Sequence, residues 1–92
     1  MTLERKAILR ELQTLPGIGP SIAEDLYRIG VHSVRAVAQA DPEELYAKHN
    51  TRVGRTEDRC LLYTFYCAQY CASTPVDKWV ESKTKWWNWK HV

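Results

Sequence analysis

The sequence predicts a single all-α domain, and three observations carry that prediction. Apolar residues recur at helical steps, as in Leu3, Ala7, Ile8, Leu12 and Leu15. Residues that start and stop helices punctuate this pattern at short intervals, and no useful stretch alternates at the period of a strand. Size supplies the third: 92 residues, 45% hydrophobic and 26% charged, suffice for one core and are too apolar for a disordered chain. The domain runs over 1–92, with no linker and no low-complexity segment.

The first helix carries the stripe from Leu3 to Leu15 and stops at Leu15-Pro16-Gly17-Ile18-Gly19-Pro20. Pro20 opens the second, at a position where its missing N–H costs nothing. Ile22, Ala23, Leu26, Tyr27 and Ile29 form its buried face, and Gly30 ends it. Ser33 caps a short third helix bearing Val34, Val37 and Ala38. Asp41-Pro42-Glu43-Glu44 starts a fourth, with an acid cap, proline at the first position and Glu44 reaching back. That helix carries Leu45 and Tyr46 and ends at His49-Asn50. The stretch Thr51-Arg52-Val53-Gly54-Arg55 then leads to Thr56, the expected cap of a fifth helix, with Glu57 and Asp58 in its first turn.

The fifth helix has no charged residue from Cys60 to Ala72. A helix that is apolar all round is buried all round. Either the C-terminal segment 76–92 or a second copy of the chain must therefore cover its outer side. Eight of the ten aromatic residues lie after residue 60, and Trp79, Trp86, Trp87 and Trp89 are the rings available for a cover. The run Lys83-Thr84-Lys85-Trp86-Trp87-Asn88-Trp89-Lys90 also interleaves rings with cations, as single-strand binders do. Packing on the fifth helix is the preferred reading, because three exposed tryptophans invite aggregation.

The residues Leu15-Pro16-Gly17-Ile18-Gly19, followed by a helix, resemble the helix-hairpin-helix motif. Two glycines around one apolar residue permit a sharp reversal, with Ile18 plugged between the helices. The amides of Gly17, Ile18 and Gly19 and the hydroxyl of Ser21 then face outward as a phosphate cradle. The residue after the second glycine is Pro20, where binding hairpins often carry Lys or Arg. Helix order suggests a tandem, SAM-domain-like arrangement. A degenerate second hairpin at 51–56 would bring Gly54, Arg55 and Arg59 to another phosphate, with Arg52 nearby. A dinucleotide fingerprint fails at Ile22, and no Gly-Lys-Ser/Thr ending marks a P-loop.

Composition excludes several functions. Residues 1–46 carry a net charge of −2 and residues 47–92 one of +4, so there is no polybasic coat. The N-terminus lacks an apolar targeting segment and no run reaches membrane-spanning length, which points to a cytoplasmic protein without a membrane partner. Cys60, Cys67 and Cys71 share one helix face without the spacing of a zinc site and read as buried reduced thiols. His32, His49 and His91 are scattered, and Asp41 suits a cap better than a catalytic acid. No catalytic residue, metal site or cofactor site is expected.

Taken with the hairpin, the segments Asp41-Pro42-Glu43-Glu44-Leu45-Tyr46, Asp58-Arg59-Cys60 and Trp86-Trp87-Asn88-Trp89-Lys90 resemble the bacterial pathogenicity locus family. Its members also go by the name of mitomycin-resistance proteins. The resemblance implies a small helix-hairpin-helix protein related to the tandem folds of DNA repair. The expectation is a non-enzymatic, sequence-nonspecific DNA-binding module. The alternative is a protein-interaction module, a homodimer through the Cys60–Ala72 helix.

Overall fold

The structure is a computed structural model that describes residues 2–92. Among the described residues there are five α-helices and no strand: α1 (Leu3–Leu12), α2 (Pro20–Arg28), α3 (Val34–Gln39), α4 (Pro42–Val53) and α5 (Arg59–Ser73). Three short 3-10 turns follow, at Val76–Lys78, Glu81–Thr84 and Trp86–Trp89. No described helix is long and apolar enough to cross a membrane.

Caps set most of the boundaries. The Thr2, Ser33 and Asp41 side chains accept from the backbone N–H groups of Arg5, Ala36 and Glu43. Glu11 reaches from α1 to accept the Val34 N–H at 2.7 Å, so α1 also helps to cap α3. After α2, Gly30 donates to the Tyr27 carbonyl and Val31 to that of Leu26, the paired bonds of a Schellman ending.

Three boundaries differ from the sequence expectation. Helix α1 stops at Leu12 because Thr14 and Leu15 donate to the carbonyls of Glu11 and Leu12, a tightening that turns the chain early. Leu15 stays in the core regardless, at 4% exposure. Helix α4 continues past His49-Asn50 to Val53, so Thr51, Arg52 and Val53 are helical and not part of a second hairpin at 51–56. Gly54 ends it with φ +76°, a left-handed conformation open to glycine, and donates to the Asn50 carbonyl. The cap of α5 is Asp58, not Thr56. Glu57 is held to α4 at both ends, donating its N–H to Asn50 Oδ1 and accepting from the Tyr46 hydroxyl. Asp58 then accepts the Cys60 N–H at 2.8 Å.

Helix α5 is the axis of the core. Leu62, Phe65, Cys67, Ala68 and Cys71 are buried, and no residue from Cys60 to Ala72 is fully exposed. Helices α3 and α4 pack on it from one side and the tail from another. Trp79, Trp86 and Trp89 lie against the core. Directed bonds hold this cover: Trp79 Nε1 donates to the carbonyls of Cys71 and Thr74, and the Tyr70 hydroxyl accepts from Val80. The Lys83 carbonyl accepts from the Cys67 thiol and from Trp89 Nε1. The tail of the same chain therefore covers part of the apolar helix, on which Leu61, Tyr63, Tyr66 and Ala72 stay half-buried.

Candidate nucleic-acid interface

The α1–α2 connection is built around two glycines that do different work. Gly17 has φ +83°, where an L side chain is strained, so the reversal itself requires glycine. A Cβ there would also stand 3.6 Å from Thr64 Cγ2 and from Trp86 Cδ1. Gly19 has φ −89° and ψ −175°, which any residue adopts, and a Cβ there meets nothing within 4 Å. The fold does not demand glycine at position 19.

Ile18 is 4% exposed and fills the gap beneath the turn. Its amide donates to the Leu15 carbonyl at 3.1 Å, so Ile18 drops out of the expected donor set. Among the described residues, the amides of Gly17, Gly19, Ser21 and Ile22 have no acceptor in the protein, and no side chain caps α2. Ser21 is exposed beside them. Pro20 adds no donor, and its fixed φ suits the first position of α2. The positive end of α2 thus carries free donors over an open approach, a geometry that accepts an anion.

The second expected cluster is split. Ser21 and Arg55 line one cleft of about 350 Å³, together with Asp25, His49, Glu57 and Asp58. The sequence positions Ser21 and Arg55 are thereby brought together, with acids between them. Arg55 pairs with Glu57 at 3.0 Å while remaining 70% exposed, and Arg52 reaches Asp25 at 3.4 Å. Gly54 contributes only the end of α4. Arg59 is not part of the cleft lining. Its guanidinium lies over the Tyr63 ring, donates to the Tyr63 hydroxyl and reaches the Val92 carbonyl. The Tyr63 hydrogen bond and the nearby Tyr63 charge raise its pKa further. The backbone bond from Cys60 holds the Asp58 carboxylate below its usual range.

From the sequence, His49 is only a scattered histidine at the end of the fourth helix, with its burial missed. It is 3% exposed, with Nε2 3.5 Å from Glu57 Oε1 and Nδ1 unpartnered. Its position four residues after Leu45, on the inner face of α4, was the available signal. No group of three or more His, Cys, Asp or Glu among the described residues converges as a metal site. Burial, reinforced by Cys71, pushes the Cys67 thiol up to about 12, so it stays protonated and acts as a hydrogen-bond donor to the tail.

These features define a small all-α domain with a glycine turn whose amides lack acceptors and an aromatic C-terminal cover. The profile of the pathogenicity locus family, Cdd1, matches residues 5–92, and the chain belongs to that family. It is also similar to the mitomycin resistance protein McrB of Streptomyces lavendulae, 36% identical over 58 residues. That match takes in 63% of this chain and 55% of the relative, so the chain spans little more than half of the length of the curated protein that it matches. No solved structure matches the chain.

Proposed function

We propose that the chain is a non-enzymatic, sequence-nonspecific DNA-binding module whose α1–α2 connection acts as a helix-hairpin-helix phosphate cradle. The carrying observation is Gly19. Its dihedrals and surroundings admit a side chain, and its bareness keeps the approach to the Gly17, Gly19, Ser21 and Ile22 amides open. Four amides without acceptors and a helix dipole suit a backbone phosphate, and such contacts position a duplex without reading its bases. Arg55, paired but mostly exposed, adds attraction at longer range.

The test uses Gly19→Asp. An aspartate at this N-cap position would accept from the Ser21 or Ile22 N–H, filling the cradle from within and repelling phosphate. The variant is expected to melt no lower than the wild type and to lose duplex affinity by about tenfold or more at low salt. Anisotropy titrations of a labelled duplex over a salt series provide the measurement. Wild-type binding that is indifferent to salt, or a Gly19→Asp variant that binds like the wild type, would sink the proposal.

A further inference from the structure

Three of the four tryptophans are accounted for by the cover over α5, and Trp87 is not. Trp79, Trp86 and Trp89 pack on the core, whereas Trp87 lies outside that cluster at 50% exposure. Trp87 meets Trp86 edge to face, with ring centroids 5.7 Å apart at 86°. Trp86 in turn stands against the hairpin, with its Cδ1 3.6 Å from where a Cβ on Gly17 would be. The exposed ring is thus one indole away from the glycine turn.

Its surroundings are cationic. The Lys85 ammonium sits 6.0 Å from the Trp87 ring centroid. Among the described residues, Lys83, Lys85 and Lys90 make no ion pair, Lys83 lying over the Tyr70 ring, while Arg52 and the cleft residue Arg55 are paired with Asp25 and Glu57. An unpaired lysine beside a half-exposed indole offers attraction to a phosphate backbone and a flat apolar face to a base. Every base has such a face, but within a duplex it is covered by its stacked neighbours. Away from a duplex end, only an unpaired base can lie on Trp87.

Building on the hairpin reading, we infer that Trp87 is a base-stacking platform and that the hairpin–tail face takes a nucleic-acid strand with unpaired bases. One phosphate rests at the Gly19 amides, the backbone follows Lys85, and a base lies on the outer face of Trp87. Stacking on an aromatic face tolerates any sequence, as does the cradle.

The experiment compares a labelled oligothymidylate of about 12 nucleotides with a blunt duplex of the same length. The proteins are the wild type, Trp87→Ala, Trp87→Phe and Gly19→Asp, each checked for an unchanged melting profile. The wild type should prefer the single strand. Trp87→Ala should lose about tenfold on that strand and little on the duplex, while Trp87→Phe keeps most of the affinity. The indole N–H resonance of Trp87, assigned by its absence in Trp87→Phe, should shift on adding the oligothymidylate.

The outcomes separate the two readings. If Gly19→Asp weakens duplex binding and Trp87→Ala changes nothing, or changes both substrates equally, the platform is overturned and the cradle stands. If Trp87→Ala alone weakens single-strand binding, the platform stands and the cradle falls. A wild type that binds neither DNA overturns both. Self-association abolished by Trp87→Ala, with no effect on the single strand, would assign the ring to a protein contact and overturn the inference.

Discussion

The two turns that lead into α2 and α5 look alike in outline and differ in what they leave free. At Gly17–Pro20 the chain reverses with no side chain capping the next helix, and four amides remain without an acceptor. At Gly54–Asp58 four of the amides through Cys60 are used internally. Among the described residues those of Thr56, Asp58 and Arg59 have no acceptor, and the Asp58 side chain caps the next helix. Gly54 and Arg55 donate to the Asn50 carbonyl, Glu57 to Asn50 Oδ1, and Cys60 to Asp58. Even the charge of Arg55 is answered by Glu57. A helix start closed by its own carboxylate, with Glu57 beside it, is a structural joint that repels an anion, whereas the start of α2 has neither a side-chain cap nor an acid in its first turn and can hold one. The sequence places more arginine at the second turn, yet the geometry favours the first.

Substitutions can break this comparison from either side. The largest expected effect is at Gly17. Gly17→Val puts a β-branched residue at φ +83° and presses it toward Thr64 and Trp86. Stability should fall by about 2 kcal/mol, or roughly 10 °C in melting temperature, read by circular dichroism. An unchanged melting curve would mean that the turn tolerates a side chain and that its glycine is not structural.

Asp58→Ala should have a middling effect, removing the α5 cap and lowering the melting temperature by a few degrees near neutral pH. The carboxylate has a depressed pKa in the folded protein, so its contribution is present above the ordinary carboxylate pKa near 4. It is lost as pH falls through the folded value. The gap between the variant and the wild type should therefore close in acid. Since this turn is a joint, salt-dependent DNA binding should survive the substitution. Loss of binding would place Asp58's turn in the interface and undo the contrast.

The smallest effect on stability is expected at Gly19. Gly19→Ser adds an N-cap side chain and should raise stability by a few tenths of a kcal/mol. The same hydroxyl engages an amide that a phosphate needs, so duplex affinity should fall although the protein is no less stable. A variant that gains in both would remove the reason for reading position 19 as a bare approach.

Much of the architecture was legible in local chemistry. Ser33 and Asp41 cap the helices expected of them, Pro20 and Pro42 open theirs, and Gly30 closes α2. These features depend on neighbours within a few residues, which is the range that a sequence pattern displays. The end of α4 was misplaced although Gly54, which ends it, is a local signal, and the start of α5 was misplaced because bonds that settle it join residues seven to eleven positions apart. Asn50 and Tyr46 fasten Glu57 to α4, and so the cap passes from Thr56 to Asp58. The candidate site divides in the same way. Gly17 and Gly19 could be read directly, while the loss of the Ile18 amide and the diversion of Arg59 to Tyr63 and Val92 could not.

By itself the sequence determined five helices, a glycine turn and an uncharged fifth helix in need of a cover. Tertiary structure decided which cover that helix receives, since hydrophobicity names no partner. The tail closes over α5 because particular carbonyls on both, those of Cys71, Thr74 and Lys83, meet indole and thiol donors. The same closure leaves Trp87 half in water beside the hairpin. Four tryptophans of one composition become three that hold the core and one that faces outward. Burial is a property of the whole packing arrangement, and no residue's own chemistry specifies it.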